Sequence, residues 1–392
     1  MKIKSIETFL MQAGTPDDRW WATDAGGQQS ARNWLFVKVV TDEGIVGIGE
    51  CSGWPRVIET AVNDLATVLI DEDPFDIERL WQRMYVAMMG HGMTGTVGSG
   101  AITGIDMALW DIKGKALGVP VWQLLGGLVR DRIKIYGHAN TPEAARHLLD
   151  MGVTAVKTGS VVEPVRRVAA IRGELGGAVD VMVDLHGPPW MTAADAARTA
   201  VDLEEFDILF LEDPVAPENV PGFRQVREKT SVPLAAGERV ATIWGARELL
   251  ESGLIDVYQP DTGRSGGITQ MKKLAAMAES RFITLAPHSG SLGPVAEYAA
   301  LHVMASIPNA LMLERIVVDW PGRYEVANPP PTQVDGTLVV PDAPGLGVEI
   351  DEEAILKYPS THNIAITGGG YVPGTESETV FFQARNPWAS DR

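Results

Sequence analysis

Val181-Met182-Val183-Asp184-Leu185-His186 and, further on, Ile208-Leu209-Phe210-Leu211-Glu212-Asp213-Pro214 share one design: a short apolar run that stops on ionisable side chains. The design recurs in Pro233-Leu234-Ala235-Ala236-Gly237-Glu238, Ile255-Asp256-Val257-Tyr258-Gln259-Pro260-Asp261, Ile283-Thr284-Leu285-Ala286-Pro287-His288 and Ala310-Leu311-Met312-Leu313-Glu314. From Asp184 through Glu212, Glu238, Asp261 and His288 to Glu314, the end residues are 28, 26, 23, 27 and 26 positions apart. Continuous apolar runs of this length suit strands buried on both faces, and each gap holds one crossover helix. A repeat of roughly 25 residues also suits a leucine-rich solenoid, which leaves the polar strand ends without a purpose. A (β/α)8 barrel gives them one, because the C-terminal ends of its strands converge on a single mouth where chemistry is built.

Working outward, the barrel begins near Ile133-Lys134-Ile135-Tyr136, after the Gly126-Gly127 turn, and takes Ala155-Val156-Lys157 as its second strand. A modified TIM barrel is therefore expected over residues 127–319. Ahead of it, residues 2–12 read as a strand, and Asn33 to Val40 with Ile45 to Glu50 as a hairpin closed by Asp42-Glu43-Gly44. Helical periodicity then runs from Pro55 to Leu117. Asp76 to Met89 is amphipathic, and Ile102, Ile105, Leu109, Ile112 and Leu117 keep helical spacing up to the stop signal Gly118-Val119-Pro120. Strands followed by helices predict an α+β capping domain over residues 1–126. The segment from Ala13 to Ser30, rich in Gly, Asp and Trp (Trp20, Trp21), has no periodicity and is expected to form a lid. Residues 320–392 turn proline-rich at Pro329-Pro330-Pro331. They are too short for a domain and are expected to return to the capping domain, with Thr375 to Arg392 loosely held except at Trp388.

Composition narrows the function classes. The 392 residues are 45% hydrophobic and 21% charged, an ordinary globular balance. Lys+Arg 33 against Asp+Glu 51 gives a net charge of -18, which argues against nucleic acid or an anionic membrane as the partner. Cys51 is the single cysteine, so no internal disulfide and no multi-cysteine zinc site can form. No window reaches the roughly 18 apolar residues of a membrane span, and Met1-Lys2-Ile3-Lys4 lacks a signal-peptide core. A cytoplasmic location is expected.

Asp184, Glu212 and Glu238 end three consecutive strands, so a closed barrel sets them side by side. Three crowded carboxylates drive at least one towards protonation unless a cation intervenes. A hard divalent ion meets that need. All-oxygen ligation, with no thiolate and no paired histidines, suits Mg²⁺ or Mn²⁺ rather than zinc, and such an ion keeps positions open for water or substrate oxygens. Asp261 and His288 end the sixth and seventh strands. A carboxylate beside the imidazole fixes its tautomer and stabilises the imidazolium, which makes His288 a candidate general base. His186, two residues past Asp184, points the same way and is either a fourth ligand or an acid across the mouth from His288. Glu314 is placed to bond a substrate oxygen or a peptide N–H, and Lys157 to turn its ammonium into the same pocket. The other histidines, His91, His138, His147, His302 and His362, read as structural, although His91 within Gly90-His91-Gly92 is placed to face the mouth.

A metal holding a carboxylate between a base and an acid describes proton abstraction beside that carboxylate, with charge stabilised as it develops. If His186 protonates a departing β-hydroxyl, the outcome is dehydration to a 2-keto-3-deoxy acid. If it delivers a proton to the other face of the α carbon, the outcome is epimerisation. A binding or regulatory protein with little turnover is a third reading.

The chain resembles the enolase superfamily, in its mandelate racemase and muconate lactonizing enzyme branch, and within that branch the D-galactonate dehydratases. The resemblance is carried by Gly104-Ile105-Asp106-Met107-Ala108-Leu109-Trp110-Asp111-Ile112-Lys113-Gly114-Lys115, Pro120-Val121-Trp122-Gln123-Leu124-Leu125-Gly126-Gly127, Ala235-Ala236-Gly237-Glu238-Arg239, Gln259-Pro260-Asp261, Leu285-Ala286-Pro287-His288 and Pro344-Gly345-Leu346-Gly347-Val348-Glu349-Ile350-Asp351. It implies one Mg²⁺ per active site on Asp184, Glu212 and Glu238, His288 with Asp261 as base, His186 as acid and Glu314 as a substrate contact. Lys157, Trp190 and Asn33 complete the expected substrate contacts. The expected ligand is a small acid sugar, and a homo-oligomer is the expected assembly. Gly159 stands where related racemases carry a second lysine, which removes the simplest two-base epimerase.

Overall fold

In the computed structural model, which describes residues 1–14, 32–89, 95–159, 161–289, 292–360 and 380–384, the chain opens with an antiparallel sheet. Its strands are β1 (Ile3–Ala13), β2 (Arg32–Thr41) and β3 (Val46–Cys51), with β2 in the centre. Helices α1 (Pro55–Ala66), α2 (Ile77–Met89), α3 (Gly95–Leu117) and the short α4 (Val121–Leu124) follow. Of the expected lid only Ala13 and Gly14 fall within the described residues. His91, His362 and Trp388 lie outside them.

Leu35, Val37 and Val39 of β2 pack with Ile58, Val62 and Leu65 of α1, Leu80, Trp81 and Met84 of α2, and Ile102, Ile105, Leu109 and Ile112 of α3. Spacings of two along the strand and three or four along the helices put these side chains on common faces. The alternate residues of β3 serve different neighbours. Gly47 and Gly49 lie against α3, where added Cβ atoms would sit 2.1 Å from Ala108 O and 1.9 Å from Gly104 O, so glycine alone admits the helix backbone so near. Ile48 and Glu50 on the other face, with Ser52 just past the strand, turn to the barrel.

The barrel runs β4 (Arg132–His138), α5 (Pro142–Asp150), β5 (Ala155–Gly159), α6 (Pro164–Leu175), β6 (Asp180–Asp184), a two-residue strand β7 (Trp190–Met191), α7 (Ala193–Leu203), β8 (Phe210–Glu212), α8 (Val220–Arg227), β9 (Leu234–Ala236), α9 (Thr242–Glu251), β10 (Val257–Tyr258), α10 (Gly267–Glu279), β11 (Thr284–Leu285), α11 (Pro294–Ala305) and β12 (Leu313–Glu314). Strands β4, β5, β6, β8, β9, β10 and β11 pair in that order, all parallel. The ring closes through β12, which pairs with β4, and through Leu311 N donating to Leu285 O at 2.7 Å. Among the described residues no barrel helix follows β12, and that is the modification of the eightfold pattern.

Inside the ring, Tyr136, Ala155, Met182, Phe210, Ala235, Val257, Ala286 and Met312, one from each strand segment, form a buried apolar layer. The barrel is thus a packed core and not a pore. α3 docks on it through the Asp106 carboxylate, which accepts from Thr269 N at 3.0 Å and Thr269 Oγ1 at 2.6 Å at the start of α10. Asp111 accepts from Ile48 N at 3.0 Å and Leu346 N at 2.7 Å, tying α3 to the sheet and to the chain beyond the barrel.

That later chain carries β13 (Ala327–Asn328), β14 (Gln333–Val334), β15 (Thr337–Val339), β16 (Glu349–Ile350), α12 (Glu352–Ile355) and β17 (Phe382–Gln383). It touches both units. β15 extends β4 antiparallel, with Leu338 opposite Ile133, whereas Tyr358 O accepts from Gln12 N at 2.9 Å in the capping sheet. The expectation of a loosely held end is corrected for residues 380–384: β17 pairs in parallel with β7, and Trp190 N donates to Phe381 O at 2.8 Å. A strand edge beside the barrel mouth gives the apolar Val380-Phe381-Phe382 run a backbone partner. Among the described residues no helix is long and apolar enough to cross a membrane.

Candidate active site

The apolar layer fixes what lies above it. Side chains two residues further along a strand point the same way, and from those eight positions the sequence gives His138, Lys157, Asp184, Glu212, Gly237, Gln259, His288 and Glu314. Seven of the eight are polar, and they form a second ring at the C-terminal mouth.

Lys157, 4% exposed, ties this ring together: its Nζ lies 2.6 Å from Glu314 Oε1, 2.8 Å from Glu212 Oε2 and 3.2 Å from Asp184 Oδ2. Asp184 and Glu212 are direct partners across the β6–β8 pair. Gln259 Nε2 donates to Glu212 Oε2 at 2.8 Å, while Glu212 Oε1 is buried without a hydrogen-bond partner. Burial, then the Asp184 charge, push the Glu212 carboxyl up to about 8 in spite of Lys157. At Asp184 burial acts in the same upward sense but loses to His186 and Lys157, so that carboxyl is held below the usual range.

His186 stands at the open side of the ring, with its side chain 38% exposed. Its peptide N–H donates to Asp184 Oδ1 at 3.0 Å, and its Nδ1 lies 2.8 Å from the same oxygen as a charge contact outside hydrogen-bond alignment. The Asp184 charge outweighs burial and raises the imidazole to about 9.

Glu238 reaches the ring one residue late because of Gly237. That glycine has φ +137, and a Cβ on it would sit 2.5 Å from the Tyr258 ring, so no other residue carries the chain past Tyr258 here. Glu238 Oε2 then meets His288 Nε2 at 2.9 Å, and Oε1 meets Arg239 Nη2 at 3.0 Å. His288 Nδ1 is 2.6 Å from Asp261 Oδ2. Burial presses the His288 pKa down, but Glu238, Glu314 and the Asp261 hydrogen bond hold it well above its ordinary value.

Glu314 takes the peptide N–H of Ser289 at 2.9 Å, one of its two expected partners, and lies 2.7 Å from His138 Nε2. His138 is accordingly corrected from a structural histidine to a member of the ring. Its sequence signal is its place two residues after Tyr136, and the same rule finds Gln259. Arg239 and Asp213 were not legible that way. Asp213 is buried at φ 42 with neither carboxylate oxygen hydrogen-bonded, 3.6 Å from Arg239 Nε, and burial, then Glu238, push it up to about 7. Trp190 is buried, with the Arg239 guanidinium 5.2 Å from its ring centre. Asn33 is placed on β2 opposite Gln12, where its Oδ1 accepts from Ser360 at 2.9 Å. His302 is structural, as expected: Trp122 N donates to its Nδ1 at 3.1 Å and its Nε2 bonds Leu346 O at 3.0 Å.

The donor chemistry for a hard divalent cation is present in Asp184, Glu212 and Glu238, with oxygen donors only. Glu212 Oε1, buried and without a hydrogen-bond partner, is the atom such a cation would satisfy. Among the described residues no three His, Cys, Asp or Glu side chains stand together as a finished metal cage. The carboxylates are turned instead to Lys157, His288 and Arg239.

Comparison with known proteins adds independent findings. Residues 6–126 match the family model of the mandelate racemase/muconate lactonizing enzyme N-terminal domain, and residues 140–354 match the enolase C-terminal domain-like model. A D-galactonate dehydratase of Verminephrobacter eiseniae (strain EF01-2) is 39% identical over 355 residues, covering 83% of this chain and 90% of the relative. Among solved structures, an enolase from Pantoea ananatis with bound D-gluconate and Mg superposes with TM-score 0.82 at 28% identity, over 98% of each chain. The 3,6-anhydro-D-galactonate cycloisomerase from Zobellia galactanivorans superposes with TM-score 0.82 at 31% identity, over 91% of this chain and 99% of its own.

Proposed function

Since this chain belongs to the mandelate racemase/muconate lactonizing enzyme family of the enolase superfamily, we propose that it is a Mg²⁺-dependent hydro-lyase of acid sugars, of the D-galactonate dehydratase type. One Mg²⁺ per active site would be held by Asp184, Glu212 and Glu238. The observation that carries the reading is that the two mouth histidines are held by different carboxylates: His186 on Asp184, and His288 between Asp261 and Glu238. Two imidazoles in separate electrostatic settings can divide acid from base work.

In this reading the acid sugar enters with its carboxylate towards Lys157 and the acidic ring. When bound, Mg²⁺ supplies Lewis-acid stabilisation of the negative charge that develops on that carboxylate. His288 Nε2 removes the α proton, while Asp261 on Nδ1 fixes the tautomer that leaves Nε2 to accept it. His288 must first be neutral. Glu238 holds that ring protonated while it faces Nε2, and as a ligand of the cation it would do so less. The electron pair from the C–H bond delocalises into the carboxylate as an enediolate, with the Lys157 ammonium nearby. His186, at the open side of the mouth, gives a proton to the β-hydroxyl. The C–O bond breaks, water leaves, and the enol product tautomerises to a 2-keto-3-deoxy acid. Gly159 places no second lysine on the other face of the α carbon.

Incubation with a panel of aldonic and aldaric acids that includes D-galactonate and D-gluconate should give a 2-keto-3-deoxy acid from at least one of them, seen by NMR. EDTA should stop the reaction and added Mg²⁺ restore it. Inverted substrate without keto acid would establish the epimerase instead. Thermal stabilisation by the panel without conversion would favour a binding protein. We also place the protein in the cytoplasm as a homo-oligomer, with neither nucleic acid nor membrane as partner, in keeping with the single thiol and the net charge of -18. Sedimentation at the monomer mass alone would overturn the oligomer.

A further inference from the structure

We infer that Ser52, which belongs to the capping domain and not to the barrel, is a positioning residue for the base: it fixes the Asp261 carboxylate that orients His288. The inference rests on the reading of His288 as the base given above.

The two oxygens of the buried Asp261 carboxylate have separate tasks. Oδ2 faces His288 Nδ1 at 2.6 Å and Arg264 Nη2 at 3.6 Å. Oδ1 accepts the Gly263 N–H at 2.8 Å and the Ser52 hydroxyl at 3.1 Å. The bonds on Oδ1 set the rotation of the carboxylate plane and so decide where Oδ2 points. The Gly263 N–H belongs to the same turn as Asp261 and moves with it. Ser52 ties that turn to a different domain, 209 positions earlier in the chain.

Ser52 is itself held on both sides. Its N–H donates to Gly263 O at 2.8 Å, and a Cβ on Gly263 would fall 2.5 Å from Ser52 Cβ. The same face of the capping strand carries Glu50, whose carboxylate accepts Gly293 N at 2.5 Å, Val295 N at 3.1 Å and Ala296 N at 3.0 Å. These N–H groups open α11, the helix that follows the His288 segment. One strand face of the capping sheet therefore grips the carboxylate partner of the base and the helix downstream of it. Alignment of the base then depends on how the two domains dock, and a reacting group misplaced by a fraction of an ångström loses rate without losing affinity.

The test uses the full chain, Mg²⁺-loaded and labelled with ¹⁵N-histidine. The His288 Nδ1 proton, hydrogen-bonded to a carboxylate, should give a downfield resonance that disappears in Asp261→Asn. In Ser52→Ala this resonance should move upfield and exchange faster with solvent, while Ser52→Thr, which keeps the hydroxyl, should retain it. On the acid sugar converted in the panel above, kcat for α-proton exchange should fall about tenfold in Ser52→Ala with KM nearly constant. In the Asp261→Asn background the same substitution should have no further effect. An unmoved resonance in Ser52→Ala, or losses that multiply in the double variant, would overturn the inference. If His288→Asn exchanges the α proton at the normal rate, the base assignment fails instead, and the resonance still reports whether Ser52 holds Asp261.

Discussion

In His288→Asn, the acid sugar should keep both its α proton and its β-hydroxyl. Solvent exchange of the α proton and release of keto acid should fall together by roughly 10³-fold, within the range that a positioned general base contributes, or about 4 kcal/mol of barrier. The expectation follows from order of events: no hydroxyl can leave by this route until the C–H bond has given up its electron pair. Asn retains a polar group near Asp261 but no nitrogen able to accept a proton where His288 Nε2 meets Glu238 at 2.9 Å. ¹H NMR in D₂O reads both events in one sample. Continued loss of the α-proton signal in a folded, Mg²⁺-loaded variant would show that another group is the base.

His186→Asn should part the two events that His288→Asn stops together. Exchange of the α proton should persist within a few-fold of wild type, while keto-acid release drops by roughly 10² to 10³, the contribution of a general acid. The sign follows from charge. Asp184 raises the His186 imidazole above its ordinary value, and Asn has no ring nitrogen from which to hand a proton to a leaving hydroxyl. His186 also donates its peptide N–H to Asp184, which the substitution leaves in place, so the Asp184 carboxylate should stay oriented. Equal losses of exchange and dehydration in a variant that still binds Mg²⁺ would mean that the two histidines do not act separately.

Much of this site can be read before any coordinate, because a strand has a period of two and a barrel brings strand ends together. The apolar runs ending at Asp184, Glu212 and Glu314 announce their own geometry. His138 and Gln259 obey the same rule but were harder to see: the first follows Tyr136-Gly137 without an acid, and the second precedes a more conspicuous Pro260-Asp261. What stays hidden depends on contacts between distant segments. Glu238 follows Gly237, where the Tyr258 ring of the neighbouring strand leaves no room for a Cβ. Asp106 and Asp111 stand in the sequence as part of a recognisable motif, yet their use as docking posts for Thr269 and Leu346 depends on residues 163 and 235 positions away. Ser52, between a buried cysteine and a glycine, shows no local sign of its bond to Asp261.

The pairing of β17 with β7 bears on how this protein should be handled. Phe381 O accepts from Trp190 N, and Phe382 and Gln383 lie opposite Trp190 and Met191, only a few residues downstream of His186. A cut or a bulky label placed among residues 380–384 would therefore disturb the backbone that follows His186. Preparations meant for rate measurements should leave that pairing intact.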